Sequence, residues 1–320
     1  METLRLLLGT ITLRPYVFIF FGIYLFIAVT SIGWKRTGIF TLLAYIIAFL
    51  GEYSSSHGPY GIPFGVYRYE QVTRGRELWI AGVPFMDSLS FTFLSFISLR
   101  VATLLLSRLA VSRRDVVVVE SNHRPHYLWV AALAGFLMMY LDIIIDPVAL
   151  RGKRWYLGEI YFYPNGGSYF GVTLANFAGW FAVCFAIVVA FYWIERWLNP
   201  GPAPTNPAGS VGDGLAPPTA REGESRDILA VPSIDTKATN QAGQYTTPND
   251  LPASQSPSSR RGSIRYRYKE LAPTGLYFGI LGYNLWVTFR IGEVSLGFAG
   301  LFISLPLLML VVITVWRATL

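Results

Sequence analysis

Apolar residues in this chain gather into long runs rather than into the one-sided patterns of a soluble domain. The runs cover residues 16–34, 38–51, 85–106, 127–149, 169–197, 273–289 and 294–316. Most have the length of about 17–25 residues that crosses a hydrocarbon core of about 30 Å. Lipid offers unpaired backbone groups no partner, so each run is expected to be a helix. The expected fold class is therefore all-α, a polytopic membrane bundle of about seven transmembrane helices with a short second member. The first run follows Arg5 and Arg14 as a signal peptide would. Its length, its aromatics and the Lys35 and Arg36 flank read instead as a retained helix. Such a chain is expected to be an integral, multi-pass protein of the cell membrane.

The pattern breaks after the fifth run. "NPGPAPTNPAGSVGDGLAPPTA" and "TTPNDLPASQSPSSRRGS" are rich in Pro, Gly, Ser and Thr, and such stretches bury too little apolar area to offset their chain entropy. The expected organisation is a five-helix part of the bundle over 1–198 that carries the site, a disordered linker over 199–265, and the last two helices within 266–320.

Composition agrees with a membrane chain. Charged residues make up 14% of the sequence, against roughly 25% in an ordinary soluble domain. The net charge of +7 comes from basic residues at helix ends and in loops, which argues for membrane topology and against nucleic acid. The single cysteine, Cys184, excludes an internal disulfide. No paired His/Cys spacing suits a metal, and no cofactor is expected.

Let side A be the face on which the N-terminus lies. Seven crossings then bring Glu52, Asp87, Asp142 with Asp146, Asn176, and Asn284 with Arg290 to side A, from five different helices. The loops over 51–69 and 151–171 fall on the same side. Side B receives Lys35, Arg36, Arg113, Arg114 and the basic run "RRGSIRYRYKE", which points to it as the cytoplasmic side.

Within "MYLDIIIDPVAL", Asp142 and Asp146 stand at i and i+4 and share a helix face. An aspartate at the centre of a membrane helix costs about 2.5–3.5 kcal/mol on insertion scales, so such residues face a bundle interior or water. Removal from water, the second carboxylate and the negative helix end all favour a protonated form of one of them. A carboxyl that keeps its proton in an apolar pocket can act as a general acid. Pro147 predicts that the helix closes at Asp146. The plainer reading is an interfacial pair held by Arg151, Lys153 or Arg154.

Glu52 is a candidate second acid, or the base that activates a water. Asp87 belongs to the same side, and His57, among serines and glycines, suits a surface turn as well as a site. The glycines of "HGPYGIPFGVY" and "PNGGSYFG" lack the surroundings of a phosphate loop and suit tight turns or re-entrant segments. Trp155, Tyr161, Tyr163, Trp180, Tyr67 and Tyr69 crowd beside the acids. Their faces could shelter a carbocation, and Trp and Tyr also form ordinary interfacial belts.

Glu52 with "GPYGIPFGVYRY", then "GVPFMDSL", "LDIIIDPVA" and "SYFGVTLANFAGW", in this order over roughly residues 45–185, resemble the integral-membrane carotenoid hydratases of the CruF type, a family of carotenoid biosynthesis proteins. Thr173 stands where that family pattern has a proline, and the connection after Asn199 is longer than in the family.

The resemblance implies hydration of the terminal C-1,2 double bond of an acyclic carotenoid end group to a tertiary alcohol. Asp142 or Asp146 would donate the proton, and Glu52 or the other aspartate would orient the water. Asn176 would hold that water or an acid, and Trp180, Trp155, Tyr67, Tyr69, His57 and Asp87 would complete the positioning set. The expected partners are a lipophilic carotenoid, water, membrane lipid and other enzymes of the same pathway. Two alternatives remain open from sequence: a membrane prenyltransferase that holds magnesium and diphosphate at D-x-x-x-D, and a proton-coupled transporter.

Overall fold

A computed structural model describes residues 1–112, 115–118, 126–155, 158, 160–198 and 268–318. The expected linker over 199–265, Arg113, Arg114 and most of the basic run before the sixth crossing lie outside the described residues.

The chain forms helices α1 (Glu2–Leu13), α2 (Pro15–Ile32), α3 (Trp34–His57), α4 (Phe85–Leu106), α5 (Tyr127–Ala149), α6 (Leu174–Leu198), α7 (Ala272–Arg290) and α8 (Val294–Arg317). Six of them, α2 to α6 and α8, are long and apolar enough to cross a membrane. The remaining expected crossing, the sixth in chain order, is α7; it has 19 residues and packs against α2, α4, α5 and α8, but no 18-residue stretch of it is as apolar as those of the six.

Three boundaries differ from the sequence reading. The helix expected over 38–51 extends over 24 residues as α3. α6 begins at Leu174, because Tyr169 and Val172 close a tight turn just before it. α5 continues through Pro147 to Ala149. Its last carbonyls find other donors: the Leu150 N–H bonds the Asp146 carbonyl, Arg151 Nη1 the Pro147 carbonyl at 2.8 Å, and Trp155 Nε1 the Val148 carbonyl at 3.2 Å. With its carbonyls satisfied, the last turn stays helical despite the proline preference.

α1 was not anticipated, since twelve residues cannot span a bilayer. It leans on the 73–78 segment: the Leu78 N–H donates to Thr10 Oγ1 at 2.8 Å, and Arg14 pairs with Glu77 at 3.4 Å. Leu4, Leu8 and Ile11 remain exposed on it, the arrangement of a helix that lies in an interface.

α4 is the central helix. It touches α2, α3, α5, α6 and α7 and is buried on nearly every face, so it lacks an apolar stripe. Two of its buried hydroxyls turn back on their own helix: Thr92 donates to the Leu89 carbonyl at 2.7 Å and Ser95 to the Phe91 carbonyl at 2.6 Å. Glycine permits the closest approaches. A Cβ on Gly135 would lie 2.8 Å from the Phe181 carbonyl oxygen, so α5 and α6 can meet backbone to backbone. A Cβ on Gly179 would lie 2.5 Å from the Phe64 ring, which lets the loop after α3 settle onto α6.

Strands are short. β1 (Arg68–Tyr69) pairs antiparallel with β6 (Tyr161–Phe162), β2 (Trp79–Ile80) with β3 (Val83–Pro84), and β4 (Leu109–Ser112) with β5 (Asp115–Val118). The first pair joins the two long loops over 51–69 and 151–171.

Candidate functional site

Asp142 and Asp146 stand one turn apart on α5, and both are buried, Asp142 completely. Asn176, in the first turn of α6, reaches across to them. Its Nδ2 donates to Asp142 Oδ2 at 2.6 Å and to Asp146 Oδ2 at 2.7 Å. The close approach of α5 and α6 thus lets one amide group tie two carboxyl groups together.

Asp146 collects two more donors. Tyr161 Oη donates to Oδ1 at 2.6 Å and Tyr163 Oη to Oδ2 at 3.0 Å. Their direction follows from strand geometry, in which residues i and i+2 share a face. Arg68 pairs with Phe162 and Tyr69 with Tyr161 across the ladder. Tyr67, Tyr69, Tyr161 and Tyr163 therefore turn inward together, and Arg68 and Phe162 stay exposed.

On the other wall, Glu52 continues the buried stripe of α3 set by Phe40, Ala44 and Ala48 and is 5% exposed. Ser88, in the first turn of α4, donates to Glu52 Oε2 at 2.5 Å, unlike the hydroxyls deeper in that helix. The Glu52 carbonyl accepts from Ser56 Oγ at 2.7 Å and Tyr67 Oη at 3.4 Å, and the Tyr67 and Tyr69 hydroxyls lie 3.1 Å apart. Asp87 stands beside Ser88 at the N-terminus of α4, where the helix dipole favours a negative charge.

The four phenols belong to loops outside the spans. Burial first, and then the charge of Glu52, holds Tyr67 and Tyr69 well above the ordinary tyrosine value of 10.0. Burial first, and then the charge of Asp146, does the same for Tyr161 and Tyr163. All four are therefore hydroxyl donors at physiological pH.

These groups border one cavity of about 140 Å³. Its polar side holds Glu52, Asp87, Asp146 and Asn176 with the four tyrosines; its apolar side holds Phe20, Phe91, Phe93, Trp155, Trp180 and Tyr283. Phe91 and Trp180 lie 4.6 Å apart between centroids, and Tyr16 of α2 stacks on Tyr283 of α7 at 5.8 Å. A space of this order accepts a small apolar group: a dry cavity of about 150 Å³ binds benzene. The arrangement can position an apolar end group between a hydrogen-bonded acid, a second carboxyl group and aromatic faces.

The fold thus brings Glu52, Asp87, Asp146, Asn176, Trp155, Trp180, Tyr67 and Tyr69 to one cavity, with Asp142 behind Asp146 rather than on its wall. His57 is a correction. It is exposed, stacks on Tyr53 at 4.6 Å and accepts or donates to Ser56 Oγ at 2.9 Å, in a separate surface recess. The helix has turned it away from Glu52, because five residues along a 3.6-residue period do not share a face.

Arg151 and Arg154, after α5, bind groups other than the aspartates. Arg151 bonds the Pro147 and Phe170 carbonyls and pairs with Glu293 at 3.0 Å, and Arg154 also pairs with Glu293. Sequence reasoning missed Ser88 and saw Tyr161 and Tyr163 only as aromatic faces. The available signal was Tyr-x-Tyr in both loops, "YRY" and "YFY", which is strand alternation.

The family model described as carotenoid biosynthesis protein matches residues 3–207 of this chain. No curated protein and no solved structure matches it.

Proposed function

Since the chain belongs to the family of carotenoid biosynthesis proteins, we propose that it is a hydratase of the cell membrane and that its acid-lined cavity is the active site. The substrate is an acyclic carotenoid end group, and the product is a tertiary alcohol. An isolated trisubstituted alkene has no polar handle, so its hydration needs a strong acid, a shelter for a tertiary cation and one admitted water.

Asp146 is assigned as the donor because it borders the cavity and Asp142 does not. Its proton goes to C-2, and the alkene electron pair forms that C–H bond. Tyr161, Tyr163 and Asn176 then stabilise the carboxylate left behind with three hydrogen bonds. The cation at C-1 lies against aromatic faces such as Trp180 and Phe91, which attract positive charge. Water adds to C-1 as its proton passes to the Glu52 carboxylate, held in place by Ser88. Asp142 supports Asp146 through their shared amide donor. Return of the proton from Glu52 to Asp146 resets the site.

The observation that carries this reading is the presence of Asp146 and Glu52 on one aromatic-walled cavity. The test is expression with a supply of acyclic carotenoids and analysis of the pigments by chromatography and mass spectrometry. A product heavier by one water is expected, and it should be lost in Asp146→Asn. Full activity in both Asp142→Asn and Asp146→Asn would sink the assignment.

A further inference from the structure

We infer that Tyr69 is a gate between an aqueous recess on side A and the acid-lined cavity, and that water reaches Glu52 past its ring. The inference rests on the hydratase reading for the use made of that water, but not for the route itself.

A second hollow, of about 280 Å³, lies on the outer side of the β1 segment. Ser56, His57, Arg68, Gln71 and Gly82 line it, so its walls are polar where those of the main cavity are largely aromatic. Among the described residues, Tyr69 alone borders both spaces. It is 8% exposed, so the two spaces share a wall residue that is itself nearly buried.

The surroundings of that partition are built for passage. Arg68 marks the aqueous end: its guanidinium is anchored on the Ser56 carbonyl at 2.8 Å and the Tyr67 carbonyl at 2.9 Å. Behind Tyr69, its hydroxyl meets that of Tyr67 at 3.1 Å, and the Tyr67 hydroxyl leads to the Glu52 carbonyl. A water that passes the ring thus finds polar partners at each step until it stands beside Glu52. The Tyr69 ring itself is held by edge-on contacts with Tyr67 at 5.2 Å and Trp79 at 5.8 Å between centroids. These ring contacts, and the hydrogen bonds of its hydroxyl with Tyr67 and Asp87, are all made by the side chain, so its rotation can open the partition without unfolding a helix.

The recess also answers a need of the chemistry. One water is consumed in each turnover, whereas the apolar side of the cavity, with Tyr16, Phe20 and Tyr283 on α2 and α7, is suited to a polyene. Separate doors for water and for the polyene keep bulk water away from the cation.

The test uses the full-length protein in lipid nanodiscs, with Cys184→Ser to remove the native thiol and Ser90→Cys as a reporter on the cavity wall. Labelling by a small, charged, water-soluble thiol reagent is followed without any carotenoid. Tyr69→Ala is expected to speed labelling about tenfold, a barrier change of roughly 1.4 kcal/mol, and Tyr69→Phe, which keeps the ring, to leave it slow. Gln71→Trp, an exposed substitution that narrows the recess, is expected to slow labelling with Tyr69 intact. This second variant decides the matter if Tyr69→Ala does not fold. Labelling that ignores both Tyr69→Ala and Gln71→Trp overturns the gate, even in a protein that hydrates carotenoids normally. Labelling that follows both supports the gate, even in a protein that makes no hydroxylated product.

Discussion

Tyr69 and Tyr161 face each other across a two-residue antiparallel ladder, although more than ninety residues of chain separate them. That pairing gathers four inward tyrosines over the acids. Through Tyr161 and Tyr163 it reaches Asp146, and through Tyr67 it reaches the end of α3. A ladder of this size has little stability of its own, so its register depends on the helices that carry the loops.

Asn176→Leu removes the one amide that donates to both aspartates. Each buried polar group left without a partner costs about 1–3 kcal/mol. The expected result is a lower thermal unfolding temperature in detergent together with a loss of hydroxylated product of about a hundredfold. Asn176→Asp retains the shape and loses both donors, so product should fall in it as well.

Tyr161→Phe and Tyr163→Phe each remove one hydrogen bond to Asp146 and keep the ring. A hydrogen bond to a charged group contributes about 1.5–3 kcal/mol, so product formation should fall about tenfold or more in each. The double variant should lose less than the sum, because both hydroxyls serve one carboxylate. Rates from a double-mutant cycle on membranes check this, and strict additivity would count against a shared role.

The alkaline behaviour follows from the buried phenols. Tyr67, Tyr69, Tyr161 and Tyr163 are all raised above 10.0 by burial and by neighbouring carboxylates. A raised tyrosine favours the neutral form in the folded state. Its contribution to stability is therefore intact below the unfolded value and is lost as pH rises above it. Thermal stability should hold up to about pH 10 and decline beyond. Tyrosinate absorbance should develop for these four only as the protein unfolds. Reversible ionisation of all tyrosines in the folded protein near pH 10 would contradict it.

Arg14 and Glu77 form a buried ion pair between the α1–α2 junction and the side A loop, with both side chains nearly inaccessible. Thr73 also donates to Glu77. Arg14→Met leaves a buried carboxylate without its cation, at a cost of about 3–5 kcal/mol. Arg14→Met with Glu77→Leu should recover much of that loss. Thermal unfolding of the three proteins measures it, and equal stability of Arg14→Met and the parent would remove the pair from any role in docking α1.

The sequence by itself determined the membrane bundle and the helix face shared by Asp142 and Asp146. Both are local properties: a span needs only enough consecutive apolar residues, and i, i+4 neighbours follow from the helix period. Counting crossings also led to the expectation that polar groups of several helices gather, and Glu52, Asp87, Asp146, Asn176 and Asn284 border one cavity. The tertiary structure decided the rest. Pro147 did not stop α5, because Arg151 and Trp155 satisfy the last carbonyls. His57 points away from the acids, and Ser88 binds Glu52 across two helices. Asp146 rather than Asp142 borders the cavity, and Tyr161 and Tyr163 act as donors rather than as a belt. The Pro147 and His57 outcomes turn on neighbours within about two helical turns; the others depend on contacts between segments farther apart in the chain, and local composition carries no record of which loops will pair.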